Sequence, residues 1–211
     1  MSNSLFQTLI SHWQGLRVDG QVPFRSQIDP RLFPDALENI FILENTGTEQ
    51  FRIRHTGMLL CEMMGYEVRG QSAGSMMQAR CREKLALLLG QVLARPGIAE
   101  LTLVAQDLHD NIISLKMLLL PLRSDFGDLN RVLGCISTPV VPYVAPLRFG
   151  IAGQKFNAVD TDSDALMGFA EAQAAFGTDG IRAVSSNTQP ETSSARKKGH
   201  LRLVCDNDQD T

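Results

Sequence analysis

Between Phe51 and Gln71 the chain reads FRIRHTGMLLCEMMGYEVRGQ, and few folds accommodate that order. Phe51, Ile53 and His55 alternate with Arg52 and Arg54, which is the period of a strand with the first three side chains on one face. A turn at Thr56-Gly57 leads into a compact apolar helix over Met58–Met64. The helix stops at Gly65-Tyr66, and an acidic-led turn ends at a second glycine, Gly70. A strand, a tight turn, a short helix and two punctuating glycines thus follow one another within 21 residues.

Upstream, SLFQTLISHWQGLRVDG places Leu5, Leu9, Trp13 and Leu16 at steps of four, four and three, one face of an amphipathic helix within residues 1–20. Two uses of that face stay open: packing on the chain's own core, or serving as a homodimer seam as well, with Trp13 suited to either. Residues 21–37 form a connector that Pro23, Pro30 and Pro34 keep from becoming one long helix. The core domain is expected over residues 38–141. Strands are predicted at 39–44 and 51–55, helical segments at 58–64, 74–78 and 80–94, and three further strands at 98–105, 112–122 and 131–138. In the middle one of those three, Ile113, Leu115, Met117 and Leu119 alternate with Ser114 and Lys116, as in a sheet with one face buried. Two strands, several helices and three strands give an α+β fold: a five-stranded antiparallel sheet with helices on one side.

Residues 142–211 read as a C-terminal extension. A weak helix is predicted over 162–176. Residues 177–211 are expected to be mostly disordered, since Ser, Thr, Asn and Gln dominate up to the basic run Arg196-Lys197-Lys198. The closing HLRLV, residues 200–204, reads as a short strand, a docking motif or a frayed tail.

A formal net charge of −3 gives no reason to expect nucleic acid as a partner. No apolar run approaches the roughly 18 to 20 residues of a membrane span, and residues 1–20 lack the pattern of a secretory signal. Cys61, Cys81, Cys135 and Cys205 are widely spaced with no CxxC, which fits reduced thiols in a cytoplasmic protein better than disulfides or a zinc site. Motifs for nucleophilic hydrolysis, zinc-dependent hydrolysis and nucleotide binding are missing. His55, on an apolar strand face, could ligate haem iron, line a pocket or serve as a hydrogen-bonded structural residue. Asp107, His109 and Asp110 fall in a predicted hairpin loop, where acid–base or metal chemistry competes with an ordinary solvated turn. Met58, Met63, Met64, Met76 and Met77 cluster in the helical half, which suits an adaptable apolar pocket or a Met-rich core.

Taken in order, these motifs resemble the PAS sensory domain. Trp13 followed by Leu16-Arg17, then Pro23-Phe24-Arg25 and Ile28-Asp29-Pro30, is similar to the lead-in of the single-domain PAS proteins common in alphaproteobacteria. Arg54-x-x-Gly57 with Met63, Gly65, Glu67 and Gly70 continues the likeness, which spans roughly residues 10–140. Met58 departs from it, standing where the family pattern leads one to expect Thr. Cys81 follows Arg80, whereas the photoactive cysteine of flavin-binding PAS domains follows Asn, so that motif fails here. The resemblance implies a non-catalytic sensory or protein-interaction module, probing a small apolar ligand or an unknown signalling partner and acting as a homodimer without a fused output domain. The family's habit of binding between sheet and helices makes Ile53, His55, Leu60, Met64, Leu85 and Leu115 the pocket candidates, with no cofactor specified. Leu5, Leu9, Trp13 and Leu16 are the dimer candidates. Two other classes stay open: a small cone-shaped α+β enzyme of the isomerase or dehydratase type, and a dimeric scaffold with a solid core.

Overall fold

The computed structural model describes residues 2–47, 50–138 and 143–159. Six strands form one antiparallel sheet: β1 (Ile40–Asn45), β2 (Phe51–Thr56), β3 (Gly97–Gln106), β4 (Ile112–Leu122), β5 (Arg131–Ser137) and β6 (Gly150–Ala158). Their spatial order is β2-β1-β5-β4-β3-β6. The first five lie where the sequence predicts strands. The sixth adds to the expected five and falls beyond the expected domain limit at residue 141. Its segment, GIAGQKFNA, carries two glycines and is mostly half-buried or exposed. Backbone bonds to β3, from Gly97↔Ala158 to Val104↔Gly150, hold it at the sheet edge, and side-chain periodicity does not report those. The predicted helix over 162–176, the tail 177–211 and the HLRLV motif lie outside the described residues.

Helices α2 (Met58–Met64) and α3 (Arg82–Ala94), with short helical turns at Ala73–Met76 and Ala79–Cys81, cover one face of the sheet. That inner face contributes Phe41, Leu43, Ile53, Leu101, Leu103, Leu115, Met117 and Leu119 to one buried cluster. Gly65, at φ +76°, ends α2 in the left-handed conformation that glycine adopts without strain. Gly57 has a steric reason as well: a Cβ there would collide with the carbonyl oxygens of Leu37 and Glu38. Likewise, the ring of Phe41 lies across Gly134, its partner in the β1–β5 ladder, in the space a side chain would need.

The outer face is covered by helix α1 (Ser2–Gly15). Phe6, Leu9, Ile10 and Trp13 pack with Leu118, Leu120, Leu122, Leu133 and Cys135 in a second cluster. Beyond Met117, β4 is therefore buried on both faces, and its period-2 alternation stops where α1 begins to cover it. Trp13 is fully buried, and its indole Nε1 donates to the Pro121 carbonyl at 2.7 Å. Of the four residues considered for a dimer seam, Leu9 and Trp13 are buried against the chain's own sheet, while Leu5 and Leu16 remain half-buried. The helix face is thus used within the chain, the first of its two open readings.

Strand β2 contains one irregularity with consequences for the site. Leu43 pairs with Ile53 and Ile42 pairs with His55, so Arg54 is an extra residue with no partner in the ladder. This is a β-bulge, and it shifts the alternation of every residue after it. His55 therefore shares the outer face with Ile42, and does not share the inner face with Phe51 and Ile53 as simple alternation predicts.

Two outcomes test this packing. Trp13→Ala removes a fully buried indole and leaves the Pro121 carbonyl without its side-chain donor, and is expected to cost about 3–5 kcal/mol in urea denaturation. Gly134→Ala, which overpacks Phe41, is expected to cost about 1–3 kcal/mol in the same measurement.

Candidate functional site

Five of the six pocket candidates converge. Ile53, Leu60, Met64, Leu85 and Leu115 are each at most 2% exposed and belong to the inner cluster. Met63, Met76, Met77 and Met117 are buried in the same cluster, so its interior is rich in flexible, polarizable side chains that repack readily. His55 is the exception, because the bulge at Arg54 sends it to the opposite face.

A cleft of about 400 Å³ reaches this interior from one side. It opens between the Ala73–Met76 turn and the first two turns of α3. Phe51, Leu85 and Leu89 form its apolar floor, Ala73 and Ala86 its walls, and Ser72, Gly74, Ser75, Arg82 and Glu83 its polar rim. The local sequence explains this shape. Ser72 caps the turn by accepting a hydrogen bond from the Gly74 N–H at 3.2 Å, and small residues at 73, 74 and 75 leave room beside α3. The Ser75 hydroxyl is buried with no hydrogen-bond partner among the described residues. A buried hydroxyl left in that state is costly and is available to a ligand. Of the cleft residues, the ligand-pocket reading named only Leu85. Ser75 and Ala86 carry no periodic signal; what sets them apart is where the turn and α3 approach each other.

The other groups singled out for chemistry have structural roles. Asp107 is buried, not solvated as an ordinary turn residue would be. Its carboxylate accepts from the backbone N–H groups of His109 and Asn111, the Asn111 side-chain amide and the Val144 N–H, at 2.8 to 3.2 Å. The hydrogen bond from the Asn111 side chain is the chief cause that lowers its pKa to about 2. Among the described residues no cluster of His, Cys, Asp and Glu could hold a metal ion. Burial pushes the Cys135 thiol up to about 12, which leaves it protonated and unreactive. Cys81 is buried, and its Sγ accepts from the Ile151 N–H at 3.5 Å, tying β6 to the start of α3.

A family model described as "PAS domain" matches residues 1–137, which includes α1, both helices of the inner face and strands β1 to β5. The chain belongs to the PAS-domain family. Membership gives the coarse functional class, a sensory or interaction module. Solved PAS structures are similar at low identity. The PAS domain of an HTR-like protein from Haloarcula marismortui shares 16% identity at a TM-score of 0.39, covering 51% of this chain and 86% of that one. The PAS domain of Bordetella pertussis BvgS shares 11% at 0.38, covering 67% and 91%. A Rhodobacter sphaeroides LOV protein shares 11% at 0.39, covering 66% and 69%. No curated protein matches the chain. No helix among the described residues is long and apolar enough to cross a membrane.

The Asp107 contacts generate a pH prediction. A carboxyl whose pKa is depressed by folding stabilises the fold above its ordinary value of 3.8 and loses that contribution as pH falls towards about 2. Protection of the Val144 amide, which Asp107 anchors, relative to its intrinsic exchange rate at each pH, is expected to fall through that window. Asp107→Ala is expected to make the same amide exchange fast at neutral pH.

Proposed function

We propose that this PAS-domain protein is a non-catalytic sensory module that takes up a small apolar or amphipathic molecule through the cleft beside α3 and answers by a shift between two arrangements of its helices. The observation that carries this reading is the cleft itself: an apolar floor of Phe51, Leu85 and Leu89, with the unpaired Ser75 hydroxyl beside it. Its volume of about 400 Å³ lies within the range of small-molecule sites, about 300–1,000 Å³. The Met-rich cluster behind the floor can reshape around an occupant. For signalling, the occupant must bind one arrangement better than the other, because equal affinity shifts nothing.

The groups available for acid–base chemistry support a sensor more than an isomerase or dehydratase. Asp107 is held ionised by four donors and is a weak base. His55 sits on the outer face, away from the cleft. A homodimer and a separate signalling partner in the cytoplasm complete the proposal. Since α1 spends Leu9 and Trp13 on its own sheet, self-association would draw on Leu5, Leu16 or another surface.

Native mass spectrometry of freshly purified protein, before and after denaturation, tests both parts. A discrete extra mass lost on denaturation is the expected result, and Ala86→Trp, which fills the cleft from its wall, is expected to abolish it while the protein stays folded. An adduct unaffected by Ala86→Trp would place the ligand elsewhere. No adduct, together with no thermal shift across a library of small apolar acids and alcohols, would favour the interaction-module reading. The same spectra count subunits, and a monomer at micromolar concentration would remove the homodimer.

A further inference from the structure

The outer face of the sheet carries a second cleft that the core-ligand reading does not use. It measures about 270 Å³ and is lined by Arg25, Ile42, Arg54, His55, Ser124, Asp125 and Arg131. Helix α1 covers the outer face over β4 and β5, and this polar cleft lies at the opposite end, over β1 and β2. Its residues come from four places in the chain: the connector, β1–β2, the loop after β4, and the start of β5.

The bulge in β2 helps to build it. Without the extra residue, consecutive side chains of β2 would point to opposite faces; with it, Arg54 and His55 both line the same cleft. Glu44 of β1 lies between two of the arginines, paired with Arg54 through Nε and with Arg131. That single carboxylate holds both guanidiniums in place and uses only part of their donor capacity, since each guanidinium carries five N–H groups. Arg25 is held differently. Its backbone N–H donates to the Arg123 carbonyl at 2.8 Å, and the Arg123 N–H donates back to Pro23 at 2.8 Å. The connector is thereby pinned to the end of β4, whereas no described residue hydrogen-bonds the Arg25 side chain. Three guanidiniums thus face one cleft against the carboxylates of Glu44 and Asp125, and Arg69 adds positive potential at His55. Partial burial first, then Arg25, Arg69 and Arg131, hold the His55 pKa below its ordinary value. The imidazole is therefore a neutral donor or acceptor near pH 7.

We propose that this cleft is a binding site for the phosphoryl group of a small molecule, with Arg25, Arg54 and Arg131 as its charge-bearing donors and His55 as a neutral hydrogen-bonding partner. Planar guanidiniums with free N–H groups match the several oxygens of a phosphate, and the anion supplies the negative charge by which Arg25, Arg54 and Arg131 exceed the carboxylates of Glu44 and Asp125. The site is separate from the cleft beside α3 and stands or falls independently of it. An anion held between Arg54 on β2 and Arg25 on the connector would join the sheet edge to the segment that carries α1. That gives the phosphoryl ligand a physical route to the position of the N-terminal helix.

The test is an NMR titration of the full chain with inorganic phosphate, following the His55 imidazole resonances, with sodium chloride at matched ionic strength and sodium acetate as comparison arms. The expected result is a saturable shift with phosphate, a His55 pKa raised relative to the chloride arm, and a much weaker response to acetate. Arg25→Gln removes a guanidinium that makes no side-chain hydrogen bond, so the fold is expected to be intact by circular dichroism and phosphate affinity to fall roughly tenfold or more. Arg80→Gln, on the inner-face helices, is expected to change affinity little. A shift that chloride reproduces would overturn the proposal, because the arginines would then be no more than solvated charges. Equal binding of acetate and phosphate would overturn the phosphoryl assignment. Equal losses in Arg25→Gln and Arg80→Gln would reduce the effect to overall charge and overturn the site.

Discussion

Burial of both faces of the central strands is the constraint on which the rest of this structure depends. Leu115, Met117 and Leu119 of β4 face α2 and α3, while Leu118, Leu120 and Leu122 face α1. A sheet covered on one side only would leave that second leucine row in water, at a cost of roughly 25 cal/mol for each Å² of apolar surface. Helix α1 is therefore part of the core. Trp13 adds direction to an otherwise non-directional contact: its indole N–H ends on the Pro121 carbonyl and sets where along β4 the helix lies. Proline at this point has no N–H to give to the ladder, and the indole makes use of its carbonyl.

The same arrangement leaves the two ends of the outer face chemically different. Where α1 lies, over β4 and β5, the surface is aliphatic. Over β1 and β2 it is charged, with Glu44 between Arg54 and Arg131. The bulge concentrates that charge by placing Arg54 and His55 in one cleft. On the inner face, small residues at 73, 74 and 75 keep the turn clear of α3 and open a way to the Met-rich interior. Each face of one sheet thus offers a cleft of opposite character, apolar inside and cationic outside.

Much of the fold was legible from residue order. Periodicity marked β1 to β5, α2 and α3, because each has one face buried by its neighbours and so repeats at its own period. The glycines were legible as punctuation, and the structure supplies their steric reasons: Gly57 against the Leu37 and Glu38 carbonyls, Gly134 under the Phe41 ring. Burial was legible where the period was unbroken, as at Ile53 and Leu115 on their strands and Leu85 on α3.

What the sequence determined by itself was the α+β class and the apolar inner core, which follow from local periodicity and glycine placement, and the likeness to the PAS family, which rests on the order of motifs such as Trp13, Pro23-Phe24-Arg25 and Gly65. Tertiary structure alone decided the rest. That Leu9 and Trp13 pack on their own sheet depended on an aliphatic row of β4 more than 100 residues away. Strand β6 depended on backbone pairing with β3, which leaves almost no mark on side-chain pattern. The face taken by His55 depended on one extra residue in the ladder, and a two-residue period has no means of counting it. The clefts depended on which segments of distant sequence come to lie side by side, and that is a property of the packed chain rather than of any one stretch of it.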